Sequence, residues 1–204
     1  VKLSAIHPRY EFIKSDRLME ELVNRLKDLA LMAKERNLGF TIDAEEADRL
    51  DISLDIIEAI FIDPDLGNWQ GFGMVVQAYQ KRALHVLNWA IKLSQKNNKK
   101  MMVRLVKGAY WDSEIKIAQV DGLSGYPVFT RKASTDINYQ ACASLLLNNR
   151  NTIFPQFATH NAYSVAYILE RAGEDLTGFE FQRLHGMGEG LYDEIMTAQS
   201  IPVR

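Results

Sequence analysis

The 204-residue chain has one cysteine, Cys142. No disulfide can form within it, and a lone thiol suits a reducing compartment. Long apolar runs are missing: none approaches the ~20 residues of a membrane-spanning helix, and no signal-peptide pattern is present. Neither sign of charge dominates. With 24 Lys and Arg against 26 Asp and Glu, the formal net charge is −2, which gives no electrostatic footprint for nucleic acid or an anionic membrane. Basic residues gather only at 96–100, as at a solvated helix end. The four histidines are scattered and none pairs at i,i+4 with another, so no metal-ligand signature exists. Cys142 has no adjacent catalytic partner and does not read as a nucleophile. Glycines in the dinucleotide-binding spacing are absent after the first expected strand. No internal repeat is visible, and no linker divides the chain.

What is present is an ordinary globular composition, 47% apolar and 25% charged, long enough for one sizeable core or two small ones. Strand and helix signals alternate along it. A strand is expected at 1–6, although opening in a strand at Val1 suggests a fragment. Ser15 is placed to cap a helix whose Leu18, Leu22, Leu26, Leu29 and Ala33 follow the helical period, stopped by Asn37-Leu38-Gly39. Further strands are expected at 40–44, 71–79, 101–106, 153–158 and 179–184. Helices are expected at 48–61, 80–96, 136–148, 162–172 and 188–197. The connection at 112–135 is unusually long, with a short helical stretch and a turn at 122–127, and such loops are commonly functional. Residues 200–204 read as the beginning of another strand.

Six βα units in series argue for a parallel sheet. Polar residues recur at the carboxyl ends of the strands: Lys2 with Ser4, Asp43 with Glu45, Gln77, Arg104 with Lys107, Thr159 with His160, and His185. Active sites of (β/α)8 barrels are assembled there from several strands. The expected fold is therefore α/β, a TIM-type (β/α)8 barrel represented here by about six βα units, with about two of the usual eight strands missing.

The densest cluster is at 101–111. Arg104 interrupts an apolar strand, which is costly unless a polar or anionic group meets it. Lys107-Gly108-Ala109 then leads through Tyr110 and Trp111 to a helix start, a corner suited to an anion, with two aromatics able to flank a flat ring. The competing reading is a plain βα unit whose arginine pairs with a structural carboxylate. Asp43 is either a helix N-terminal carboxylate or, facing Arg104 across a barrel mouth, half of a buried pair with a lowered pKa. His160 reads as a core histidine or a site residue, and His185 before Gly186 as a backbone cap. Met74, Met101, Met102 and Met187 read as core filler.

The stretches VKLSAIHPRYE, TIDAEEADRL, VVQAYQKR, VRLVKGAYWDSEIK, YPVFTRKASTDINY, PQFATHNA and FQRLHGMGE closely resemble the proline dehydrogenase domain of the bacterial bifunctional enzymes called proline utilization A. The resemblance runs through essentially the whole chain. It implies a distorted (β/α)8 barrel holding FAD at the carboxyl ends of its strands. It also implies oxidation of L-proline to pyrroline-5-carboxylate, with electrons leaving to a membrane quinone. The implied setting is the bacterial cytoplasm, with peripheral membrane association of the parent when reduced and a homo-oligomer left open.

Carried over residue by residue, the resemblance puts Lys2 near the substrate carboxylate and makes Asp43 and Arg104 an active-site pair, with Arg104 reaching the flavin N5 region. A cation there favours electron density on the reduced ring. Ala44 and Gln77 match ring-edge contacts. Val106, Lys107, Gly108, Ala109, Tyr110 and Trp111 match the segment holding the ribityl and phosphate region. Thr159, His160 and Asn161 match a further FAD-contacting strand end, and Leu184 a residue lining the pocket. Thr130, Arg131 and Lys132 look like the part approaching the adenosine half.

By the same resemblance the chain begins in the second barrel strand and stops as the eighth begins. That is before a helix that supplies the family with two carboxylate-binding arginines and an aromatic over the ring. The site and the barrel are thus expected to be incomplete, and the chain alone weak or inactive. Two alternatives stand beside this: an inactive barrel fragment stable only as an assembly, and a related flavin barrel acting on another cyclic amine.

Overall fold

The computed structural model describes residues 1–199 and 201–204. The chain opens in extended backbone at Val1, and then turns into a short helix, α1 (Leu3–Ile6). A strand at 1–6 is thus not formed, and the reason is specific. The Ser4 N–H and hydroxyl both bond the Glu45 carboxylate, which bends the chain after Lys2. Val1 itself still behaves as a strand residue, its amino group reaching the Thr41 carbonyl at 2.6 Å and its carbonyl accepting from the Asp43 N–H at 2.8 Å.

Helix α2 (Ser15–Glu35) follows and buries Leu18, Leu22, Leu26 and Ala30. The apolar stripe therefore passes through Ala30 rather than Leu29, which is exposed. Ser15 is the first helical residue, and no side chain caps this N-terminus. The stop is as expected in place, and Asn37 supplies it: at φ 52° it takes the left-handed conformation that asparagine tolerates.

Strand β1 (Phe40–Ile42) leads through a 3-10 turn to α3 (Leu50–Phe61), which buries Ile52, Ile56, Ile57, Ile60 and Phe61. Then come β2 (Phe72–Gln77), α4 (Ala83–Asn97), β3 (Met101–Val106) and α5 (Trp111–Val120). The rest of the chain forms α6 (Lys132–Leu147), β4 (Ile153–Ala158), α7 (Ala162–Ala172), β5 (Glu180–Gln182) and α8 (Glu189–Ala198). Of the expected last strand, Ser200 lies outside the described residues. Val203 forms a parallel bridge to Phe181.

All five strands are parallel and lie in the sheet in chain order, β1-β2-β3-β4-β5. Right-handed crossovers that always step the same way put the helices that connect successive strands on one face of the sheet. A doubly wound sheet would reverse order at a switch point, and none occurs among the described residues. Packing agrees, with α2 on α3, α4 on α6 and α6 on α7. The chain is an arc of a TIM-type barrel, flanked at one edge by Val1 and at the other by the Val203 bridge.

Strand β3 shows the two faces. Met101, Val103 and Leu105 are buried, while Met102, Arg104 and Val106 point to the other face and are half-buried. No helix among the described residues is long and apolar enough to cross a membrane.

Candidate functional site

The polar groups converge on the face opposite the helices, at the carboxyl ends of the strands. Arg104 is central. Its Nη1 donates to Asp43 Oδ1 at 3.1 Å and its Nε to Gln182 Oε1 at 2.7 Å. Three strand ends, β1, β3 and β5, are joined through one guanidinium. No bond from Nη2 exists among the described residues, which leaves that nitrogen unengaged. The Arg104–Asp43 pair expected across the mouth is present. It is about a third exposed, 31% and 36%, rather than buried.

Gln77, at the end of β2, is buried and works as a strap. Its Nε2 donates to the Glu45 carbonyl at 2.9 Å and its Oε1 accepts from the Ala109 N–H at 3.1 Å. It thereby holds the loop after β1, which carries Asp43 and Ala44, to the loop after β3. Glu114 of α5 makes a second strap, accepting the Ala47 N–H at 2.6 Å. Burial pushes its carboxyl above the ordinary glutamate value.

Gly108 sits at φ 144° with the Tyr79 ring packed flat against it, so close that a Cβ would come within 2.4 Å of that ring. Only glycine lets this loop lie there. Lys107 donates to Asp136 of α6 at 2.5 Å, and Lys132 shares the same carboxylate at 2.6 Å. Burial raises the Asp136 pKa, but the hydrogen bonds from Lys107 and Lys132 outweigh it and hold the carboxyl below its usual value. Lys2 bonds the Tyr110 hydroxyl at 2.9 Å and lies 5.5 Å from its ring centroid. That hydroxyl raises the Lys2 pKa. Trp111 is exposed and anchored by its Nε1 to the Phe129 carbonyl.

On the other side of the mouth, His160 Nε2 accepts from the Leu184 N–H at 3.0 Å, so its proton resides on Nδ1. The Thr159 and Asn161 side chains serve the backbone instead of the mouth. Thr159 Oγ1 accepts from the Asn161 N–H, and Asn161 Oδ1 caps α7 through the Ser164 N–H at 2.9 Å. The Leu184 side chain is exposed, as is His185, which makes no cap. Thr130, Arg131 and Lys132 are also exposed. No group of metal-ligating side chains exists among the described residues. Cys142 is buried, and burial pushes its thiol up to about 12, which leaves it inert.

Five polar partners had not been singled out: Glu114, Asp136, Gln156, Glu180 and Gln182. For the last two the signal was there. Phe179-Glu180-Phe181-Gln182 alternates with the strand period, which puts two aromatics toward the helices and two polar groups toward the mouth.

Loss of the Asp136 clamp has an expected acid signature. Its pKa is depressed in the folded state, so its contribution is fully present above the ordinary carboxylate value. It is lost as the pH falls through the lower, folded value. Asp136→Asn should abolish that component of acid sensitivity, at a cost at neutral pH of under ~1 kcal/mol for so accessible a cluster. Unfolding midpoints of both proteins across pH 2–6 (roughly the carboxylate range) test this, and parallel pH profiles would disprove it.

Comparisons with known proteins bear on the family and the fold. The proline dehydrogenase family model matches residues 1–204. The chain is 55% identical over 197 residues to bifunctional protein PutA of Escherichia coli and 54% identical over 198 residues to that of Klebsiella aerogenes, covering 96% of the chain in each case. It is 31% identical over 190 residues to mitochondrial proline dehydrogenase 2 of Arabidopsis thaliana, covering 88% of the chain and 39% of that protein.

A crystal structure of proline utilization A from Bradyrhizobium japonicum superposes with a TM-score of 0.98 at 60% identity, and one from Bdellovibrio bacteriovorus with 0.95 at 31%; each covers the whole of this chain and 21% of theirs. The chain spans 15% of the length of the two PutA relatives. On both sequence and fold, the chain belongs to the proline dehydrogenase family.

Proposed function

We propose that residues 1–204 are part of an FAD-binding proline dehydrogenase barrel domain, and that the intact protein oxidises L-proline to pyrroline-5-carboxylate and passes the electrons to a membrane quinone. The observation that carries this reading is Arg104, a guanidinium at the barrel mouth fixed at two nitrogens by Asp43 and Gln182, with no bond from its third among the described residues.

The donor set suits a flavin. Besides the unengaged Nη2 of Arg104, Gln77 has used one of its two amide hydrogens, and His160 keeps its Nδ1–H. Lys107 and the start of α5 bring positive charge and backbone N–H groups to a glycine-lined corner, as a diphosphate requires. FAD, when bound, supplies the two-electron acceptor while the ring C–N bond of proline becomes C=N, a hydride leaving carbon and a proton leaving nitrogen.

The protein's part is positioning and charge. Arg104 stabilises negative charge where it accumulates. Asp43 keeps Arg104 aimed and balances its charge. Gln77 and Glu114 hold the two loops at fixed separation. Lys2 and Tyr110 form one polar wall, with Lys2 available to a carboxylate, and Ala44, Val106, Ala109, Trp111 and Leu184 complete the lining. Thr159 and Asn161 act through their backbone and through the cap that orients His160. With five parallel strands in an open sheet against the usual eight of a barrel, residues 1–204 alone are proposed to be weakly active or inactive. The same reading places the intact protein in the bacterial cytoplasm, meeting the membrane peripherally.

The test is a visible spectrum of the intact protein after FAD addition and desalting, followed by anaerobic proline. A retained flavin band that bleaches with proline is the expected result. Retained flavin that ignores proline would overturn the substrate, and no retained flavin would overturn the cofactor.

A further inference from the structure

Behind Arg104, on the same face of the sheet, Gln182 continues into two polar side chains that the reading above does not use, Glu180 and Gln156. Gln182 accepts from Arg104 Nε at 2.7 Å and donates its own amide to Glu180 Oε1 at 2.6 Å. Gln156 of β4 donates to the same oxygen at 2.9 Å. Glu180, Gln182 and Gln156 are all buried, at 5%, 8% and 3% exposure. The strand register explains the meeting: Arg104 pairs with Gln156, and Gln156 with Glu180, so the three point to one face at one level.

A buried carboxylate is costly unless it is bonded, and Glu180 meets that cost through Gln156, Gln182 and Arg204. The geometry points to Glu180 as a positioning residue that sets the direction of Arg104 through Gln182. A glutamine amide can sit either way round. With its nitrogen against the carboxylate, its oxygen must face Arg104 and accept from Nε. Turned over, it would oppose oxygen to oxygen at Glu180 and nitrogen to nitrogen at Arg104, two repulsive contacts. Glu180 thus forbids one of the two states, and Gln156 holds Glu180 in place from the side. Arg204, exposed and 3.3 Å from the same oxygen, offsets part of the charge. With Nε committed to Gln182 and Nη1 to Asp43, the guanidinium plane is fixed and Nη2 is left unengaged among the described residues.

The inference rests on the proposed dehydrogenase reading for its consequence, and on side-chain geometry alone for its cause. Glu180→Leu removes the acceptor and the charge. Glu180→Gln removes the charge but keeps an oxygen that can accept from both amides. In the intact protein, Glu180→Leu should lower kcat for proline about tenfold, the lower range for losing an outer partner of a site ligand, with a smaller change in KM. Glu180→Gln should recover most of that loss.

The flavin midpoint potential discriminates further. Loss of a nearby negative charge alone raises it in both variants, whereas a misdirected Arg104 lowers it in Glu180→Leu only. Gln182→Met should reproduce the loss, and Glu180→Leu added to it should cost nothing more. Equal behaviour of the Leu and Gln variants, or additive losses in the double variant, would overturn the inference. A crystal structure of flavin-free Glu180→Leu decides the cause independently. Arg104 released from Gln182 or Asp43 is expected, and an unmoved guanidinium would overturn the inference even if proline proved not to be the substrate. Failure of the wild-type protein to hold flavin would overturn only the functional reading.

Discussion

Arg104→Met in the intact protein is expected to lower kcat/KM for proline by a factor of about 10²–10³, the scale on which one fixed charge-stabilising donor acts. The side chain leaves β3 between Val75 of β2 and Gln156 of β4, and methionine keeps most of its apolar stem there while giving up the bonds to Asp43 and Gln182. The exposure of Arg104 and that of Asp43, 31% and 36%, make the pair worth little to stability, about 0–1 kcal/mol. Activity and melting temperature should therefore separate: the rate collapses and the fold persists.

Arg104→Lys should recover only a small part. A single ammonium keeps the charge and three N–H donors, but all leave one nitrogen, so it cannot reproduce the planar spread with which the guanidinium reaches Asp43 and Gln182 from two nitrogens. Asp43→Asn, which preserves the shape of the contact, should cost less than Arg104→Met because Gln182 still holds Nε. Steady-state kinetics beside thermal melts of the three variants check the order. A wild-type rate in Arg104→Met would remove Arg104 from the chemistry.

Much of this site could be read from the chain because its elements are locally encoded. The continuous apolar runs of β3 and β4 and the helix α7, opened by the Asn161 cap, fall at the residues the pattern predicts. An arginine in an apolar strand called for an anion, pairing with it was one of two readings open for the Asp43 carboxylate, and the family resemblance named the two as a pair.

What escaped depends on partners far along the sequence. Residues 3–6 have a strand-like composition, yet Glu45, 41 positions away, takes both Ser4 donors and turns them into a helix. Gln77 looked like a ligand for a ring edge and proves first to be a strap, because its acceptor and its donor are backbone groups on two other loops. Thr159 and Asn161 stand at the right strand end, but their side chains are committed to the turn that starts α7. A sequence shows which residue types reach the mouth of a barrel. It does not show which of them the neighbouring loops consume.

Phe157→Ala is expected to produce the largest loss of stability. Phe157 is fully buried, with the Phe179 ring 5.6 Å and the Phe181 ring 6.1 Å away, and Tyr192 of α8 lies 5.9 Å from Phe181. These rings tie β4, β5 and α8 together on the helix side of the sheet. Removing one leaves a cavity whose walls are other rings, which cannot collapse without moving a strand. The expected cost is about 3–5 kcal/mol, or a fall in melting temperature of about 10 °C for a unit of this size. Phe157→Leu should lose clearly less.

Calorimetry of the intact protein, following the transition of the barrel, measures both, and an unshifted transition in Phe157→Ala would show that the cluster does not hold this part of the sheet. The effect should also reach the site. Phe179 and Phe181 alternate along the chain with Glu180 and Gln182, so the rings that pack toward the helices and the groups that hold Arg104 share one backbone. Loosening the rings frees β5 to shift, and Gln182 moves with it. Unlike Arg104→Met, then, Phe157→Ala should lower stability and activity together, and the activity lost should return on cooling.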